Sequence, residues 1–161
     1  MTPPVILRTT TTEDEAFLTT VYASTRTEEL AATDWDETRK ANFCQMQFSA
    51  QNSHYRQHYP TAEYSLIMAA EIAVGRLSID RWPREIRIMD IVILPAHRRQ
   101  GIASHLLKTL QSEAAASGRS LSIHVERFNP ALRLYQRLGF QTLEDKGVYL
   151  LLEWQPTPAV T

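Results

Sequence analysis

The sequence predicts an α/β fold: one mixed, mostly antiparallel sheet with helices on both faces, in the order β-αα-βββ-α-β-α-ββ. Three observations carry this prediction. The hydrophobic period changes from helical to alternating near Tyr64. The segment 86–94 is apolar on both faces, as an interior strand covered from both sides requires. After Gly101, helical and strand patterns alternate.

Taken in order, residues 5–8 form a short strand, and Thr12 with Glu15 makes a capping box for a helix bearing Phe17, Leu18, Val21 and Tyr22 on one face. A second helix starts near Asp34 or Asp36 and runs toward Tyr59, where Pro60 stops it. Phe43, Met46, Ala50 and Tyr55 form its inner stripe. Strands 65–69, 72–81 and 85–94, separated by Ala70-Glu71 and Trp82-Pro83-Arg84, read as an antiparallel meander. Residues 101–116 carry Ile102, Leu106, Leu107 and Leu110 at helical spacing, with Gly118 as the stop. A strand follows at 121–125. Asn129 as cap, Pro130 at the first helical position and Gly139 past the end punctuate a compact helix. Residues 140–143 and 148–154 close the chain as a strand pair; the second could be internal or could join a second copy as a homodimer.

At 161 residues, 43% hydrophobic and 22% charged, residues 1–155 are expected to form one domain, with 156–161 as a flexible tail. A core of this size buries roughly 70% of the unfolded surface and needs no staple. The 17 basic residues balance 18 acidic ones, which argues against nucleic acid or a membrane surface as partner. Cys44 is the sole cysteine, so no disulfide framework or cysteine-rich metal site is expected. With no apolar run near the ~20 residues of a membrane span, the expected location is cytoplasmic.

The chemistry concentrates in two segments. In the first, Leu94-Pro95 leads to Arg98-Arg99-Gln100-Gly101-Ile102-Ala103, a strand feeding a tight turn into a helix N-terminus. Such an end presents unpaired N–H groups and a positive dipole, which suits phosphate. No Gly-Lys-Ser/Thr follows, so this is not a nucleoside-triphosphate loop, and one glycine is too few for a dinucleotide fingerprint. The second segment is Asn129-Pro-Ala-x-x-Leu-Tyr135-x-x-Leu-Gly-Phe140.

Together the two segments resemble the GNAT superfamily of acyl-CoA-dependent N-acetyltransferases. The first is similar to its Gln/Arg-x-x-Gly-x-Gly/Ala signature, with Ala103 where many members have Gly, and the second to its later motif; the likeness spans about residues 72–154. The resemblance implies transfer of an acetyl group from acetyl-CoA to a primary amine by direct attack in a ternary complex. It implies that Arg98, Arg99, Gln100, Gly101, Ile102, Ala103 and Ser104 cradle the cofactor pyrophosphate. Ile91, Val92 and Ile93 match a strand whose free backbone takes the pantetheine arm, and Asn129 matches a cofactor contact while also reading as a helix cap.

Tyr135 matches the general acid that faces the departing thiolate. A phenol near pKa ~10 protonating a thiolate near ~8.5 is uphill by about 2 kcal/mol, so a hydrogen bond to developing charge, or a relay, is the expected role. The amine must lose a proton to attack. The family's bases on the interior strand match Arg87 and Met89, and neither can serve. Glu126 is the preferred base over Asp90, whose position has opposite parity on an ideal strand and which otherwise reads as a buried acid paired with an arginine. Glu126 could instead pair with Arg127 or Arg133, and His124 could be a core histidine. Glu28, Glu29, Asp34, Trp35, Asp36 and Glu37 fall where the family binds its acceptor, though acids at a helix start also complement its dipole. No metal site is expected. A non-catalytic acyl-CoA-binding or protein-interaction module on the same fold is the alternative.

Overall fold

A computed structural model describes residues 3–157. Seven strands form one sheet in the order β1-β2-β3-β4-β5-β7-β6. They are β1 (Val5–Thr9), β2 (Glu63–Ala69), β3 (Ile72–Arg81), β4 (Glu85–Ile93), β5 (Ser120–Glu126), β6 (Gln141–Asp145) and β7 (Tyr149–Trp154). Every pairing is antiparallel except β4 with β5. The helices are α1 (Glu15–Ser24), α2 (Thr27–Ala31), α3 (Glu37–His58), α4 (Ile102–Ser117) and α5 (Leu132–Arg137). None of the helices is long and apolar enough to cross a membrane, among the described residues.

The layers follow from side-chain parity. On one face Val74, Leu77, Ile79, Ile86, Ile88, Leu121, Ile123 and Val125 join the α4 stripe Ile102, Leu106, Leu107, Leu110 and Ala114, with Tyr135 and Phe140. On the other, Leu66 packs with Leu18, Tyr22, Leu30, Cys44 and Phe48 from α1, α2 and α3. The predicted architecture is therefore present, with one addition: the five-residue α2. Helix α4 ends as expected, Gly118 adopting φ 67° while Arg119 N–H donates to the Ala114 carbonyl at 2.9 Å.

Several boundaries and contacts differ from expectation. The capping box sits one residue earlier, Thr11 with Asp14, and caps a 3-10 turn that leads into α1. In α3, Asp36 caps as predicted, but the buried side is Cys44 and Phe48, and Met46 is 62% exposed. Helix α3 packs on polar strand residues as well as apolar ones, so apolar spacing alone misplaces its inner face. Helix α5 is shortened to six residues because Asn129 Oδ1 accepts from Ala131 N–H at 2.8 Å, closing a turn ahead of it. Strand β7 lies between β5 and β6, so both its edges are used. Residues 158–161 of the expected tail fall outside the described residues.

The feature that positions the site is a fork. The parallel ladder runs from Glu85/Ser120 to Ile88/Ile123 and stops, although β4 continues to Ile93 and β5 to Glu126. At that point β4 carries a bulge. Ser78 pairs with Asp90 and Ile79 with Ile88, leaving Met89 as the extra residue, and a bulge bends its strand and adds twist. Beyond it β4 follows β3 closely: a Cβ on Gly75 would lie 2.0 Å from the Val92 carbonyl oxygen. Only glycine fits there. Gly75→Ala is expected to force β3 from β4 and cost about 2–3 kcal/mol, measurable as a lower denaturant midpoint at unchanged m-value.

Candidate active site

The fork leaves backbone groups unpaired on one strand. Leu94 N–H donates to Val74 at 2.8 Å, which fixes the alternation of the β3–β4 ladder. Val92 then bonds toward β3, whereas Ile91 and Ile93 turn their N–H and C=O groups into the fork. Arg98 Nε already donates to the Ile93 carbonyl at 3.0 Å, tying the turn that follows to the strand edge. An extended chain bearing amides would complete this ladder as an added strand.

At the end of β4 the chain turns through a 3-10 segment, Pro95–His97, and enters α4. Arg99 and Gly101 both have left-handed backbone, at φ 65° and 78°. For Arg99 that conformation costs on the order of 1–2 kcal/mol. Its effect is to turn successive N–H groups the same way. Among the described residues, no backbone acceptor meets the N–H groups of Arg99, Gln100, Gly101, Ile102, Ala103 or Ser104; the first α4 bond is from His105 to Gly101 at 2.9 Å. As the N-cap, Gly101 brings no side chain to occupy the helix end. Six donors without a backbone acceptor thus precede the first α4 bond, with the helix dipole behind them, an arrangement that suits an anion with several oxygens.

Tyr135 stands on α5 at 3% exposure, its ring edge-on to Phe140 at 5.6 Å. Its hydroxyl has no hydrogen-bond partner among the described residues. Among the described residues, Arg76 Nε and Asp90 Oδ1 are the sealed side-chain atoms without a partner. Burial, with a smaller contribution from the Asp90 charge, holds this phenol well above its ordinary range.

Asp90 does pair with an arginine: Arg76 Nη2 is 3.1 Å from Oδ2. The parity assigned to it from sequence fails, because the Met89 bulge brings Asp90 to the same face as Arg87, opposite Ser78 and Asp80. Arg76 also reaches Gln51 at 3.1 Å and lies 5.8 Å from the Phe48 ring, so this polar pair is covered by α3. Burial raises the Asp90 carboxyl, and Arg76 opposes the shift. On α3, Tyr55 is pushed up to about 12, mainly by burial and then by the Asp90 charge, with Tyr149 adding to it. Tyr55 and Asp90 line one pocket together with Gln51, Arg76 and Ser78.

Glu126 ends β5 on the face that also bears Ser122 and His124, opposite Tyr149 of β7. Its side chain is 48% exposed, and its ion partner is Arg26, 3.8 Å away, in place of Arg127 or Arg133. Arg26 is held by Glu29 at 2.8 Å and Tyr22 Oη at 3.2 Å. Arg127 instead pairs with Asp145. His124 lies between Arg87 and Lys146. Of the acceptor-side acids, Asp36 serves as a cap, Glu37 meets Lys40 and Glu29 meets Arg26, while Trp35 packs on Phe43 beneath Arg39. Sequence reading missed Arg26, Arg76, Tyr55 and Tyr149. Arg76 and Asp90 carried a signal, two charges within otherwise apolar strands; Arg26 and the tyrosines carried none.

An amide-bearing arm along the fork and a multiply charged anion at the turn would lie end to end. Residues 62–142 match the family described as acetyltransferase (GNAT) domain, and the chain belongs to that family. Over 77 residues, 45% of this chain, it is 35% identical to the cysteine-rich protein 2-binding protein of Mus musculus and 36% identical to the Homo sapiens protein. The matched stretch is 9% of the length of those curated relatives. Among solved structures, PaiA N-acetyltransferase of Thermoplasma acidophilum, in complex with coenzyme A, superposes with TM-score 0.70 at 15% identity, over 94% of this chain and 99% of that one. An acetyltransferase of Thermus thermophilus gives 0.68 at 18% identity, over 96% and 97%.

Because the Tyr135 hydroxyl makes no internal hydrogen bond, Tyr135→Phe is expected to leave stability within about 0.5 kcal/mol of the parent. Chemical denaturation followed by tryptophan fluorescence checks it; a loss above ~1.5 kcal/mol would mean the hydroxyl is structural.

Proposed function

We propose that this domain transfers the acetyl group of acetyl-CoA to a primary amine by direct attack within a ternary complex. The observation that carries the reading is the fork with the six unpaired N–H groups at its end: one feature suits an amide-bearing arm, the other a pyrophosphate, and they are contiguous. Arg99, Gln100, Gly101, Ile102, Ala103 and Ser104 hold the pyrophosphate through backbone N–H groups. Arg98 braces the turn through Ile93. Ile91 and Ile93 bond the pantetheine amides, while Val92 keeps the strand fixed to β3. Asn129 holds the α5 entry, which sets the position of Tyr135.

When bound, acetyl-CoA supplies the thioester, whose acyl carbon bonds to the amine nitrogen as its carbon–sulfur bond breaks, giving an amide and free CoA thiol. Glu126 takes the proton that the amine nitrogen must lose, directly or through one water. For an amine near pKa ~10.4 that loss costs about 4.6 kcal/mol at pH 7, and near ~8 about 1.4. Arg26, 3.8 Å away, restrains the Glu126 carboxylate at the end of β5. The Tyr135 hydroxyl, kept protonated by burial, donates a hydrogen bond where negative charge develops on sulfur and passes on a proton as one arrives from the amine side. The raised phenol makes outright ionisation unfavourable, so its proton leaves only as another arrives.

Two variants test these roles. Tyr135→Phe is expected to lower kcat by about 10²-fold or more at unchanged acetyl-CoA affinity; unchanged turnover across pH would remove the tyrosine from the chemistry. Glu126→Gln should depress the rate most at low pH and progressively less as the amine deprotonates by itself. A parent-to-variant ratio that stays flat from about pH 6 to about pH 9 would assign proton removal to solvent.

A further inference from the structure

Both ring nitrogens of His124 face cationic donors. Arg87 Nη1 lies 3.3 Å from Nδ1 and Lys146 Nζ lies 3.2 Å from Nε2. A neutral imidazole has one lone pair and one N–H, so it can accept from one of the two and must point a proton at the other. Arg87 keeps its charge at any working pH, which makes Nδ1 the accepting nitrogen and sets Nε2–H against Lys146. An acceptor that takes Nε2–H and the lysine ammonium together would satisfy both.

The carboxylates nearby do not fill that role. Glu85 Oε2 already accepts from Arg87 Nε, Arg87 Nη2 and Ser122 Oγ. Glu144 approaches Lys146 only to 4.0 Å. The position also matters. His124 and Glu126 share a face of β5 two residues apart, roughly 7 Å. A molecule carrying an ammonium and a carboxylate on one carbon spans that separation with a hydrogen bond at each end.

We propose that Arg87, His124 and Lys146 form an anion subsite on the sheet face beside the fork that receives the carboxylate of the acceptor, which makes the acceptor an α-amino acid. The identity of the acceptor rests on the acetyl-transfer reading; the subsite does not. Groups facing the ring are Arg87 and Glu85 from β4 and Lys146 and Glu144 from the β6–β7 side, and burial with the two cations holds the imidazole low. A bound carboxylate opposes those cations and raises it.

The first arm compares initial rates on glycine, L-leucine and L-phenylalanine with those on their amides, using acetyl-CoA. The amides are the less basic amines, so neutral-amine chemistry alone favours them. The subsite predicts instead that at least one acid exceeds its amide by about 10-fold or more in kcat/KM, and that the ratio collapses in Lys146→Gln. The second arm follows imidazole C–H signals by NMR against pH, His124 assigned with His124→Gln, in the presence of N-acetyl-L-leucine or its amide. The acid should raise the His124 midpoint and the amide should not. A midpoint that responds equally to both, or to neither, overturns the subsite whatever the rates show. A selective response without transfer to any amine upholds the subsite and contradicts the acetyltransferase reading instead.

Discussion

Two hydrogen-bonded strands normally stay paired for as long as both continue, and the separation of β4 from β5 after Ile88 and Ile123 is the departure from that rule on which the site depends. Its cause lies on the far side of β4. The extra residue Met89 bends the strand, and the missing Cβ of Gly75 lets the bent portion follow β3. The β4–β5 bonds lost in this way are not replaced within the sheet. They remain as donors and acceptors of Ile91 and Ile93 at the mouth of a cleft, with Arg98 holding one of them.

The same separation decides what the other elements do. Helix α4 begins where β4 ends, so its uncapped N-terminus and the strained Arg99 backbone fall at the open end of the fork. The bulge also rotates Asp90 toward α3, where Arg76 and Tyr55 enclose it. The polar layer of β3, Arg76, Ser78 and Asp80, is buried on the face where α1, α2 and α3 pack around Leu66. On the β5 side the face carrying Ser122, His124 and Glu126 lies toward Tyr149 and Lys146.

Much of this was legible in the sequence, and the reasons differ by element. The meander, α4 and its Gly118 stop were readable because local period and punctuation agree with the tertiary outcome. The donor-lined turn was readable because its glycine sits between a strand and a helix. The parity of Asp90 was not, since one bulge residue reverses every side chain after it and has no sequence mark of its own. Nor were the partners of Glu126 and His124: Arg26 is 100 residues upstream of Glu126 and reaches it only through the packing of α1 on the sheet. Met46 was misjudged for a related reason, because helical periodicity gives a stripe without saying whether polar strand residues lie under it.

In the proposed function the backbone donors at the start of α4 bind the pyrophosphate of acetyl-CoA. Calorimetric titration of the protein with acetyl-CoA, set beside Gly101→Glu shown to be folded by its thermal transition, tests it most directly. The account predicts micromolar binding to the parent and a loss of at least about 100-fold in the variant, whose side chain brings bulk and negative charge into the donor row. No binding to the parent, or equal binding to both proteins, would contradict it.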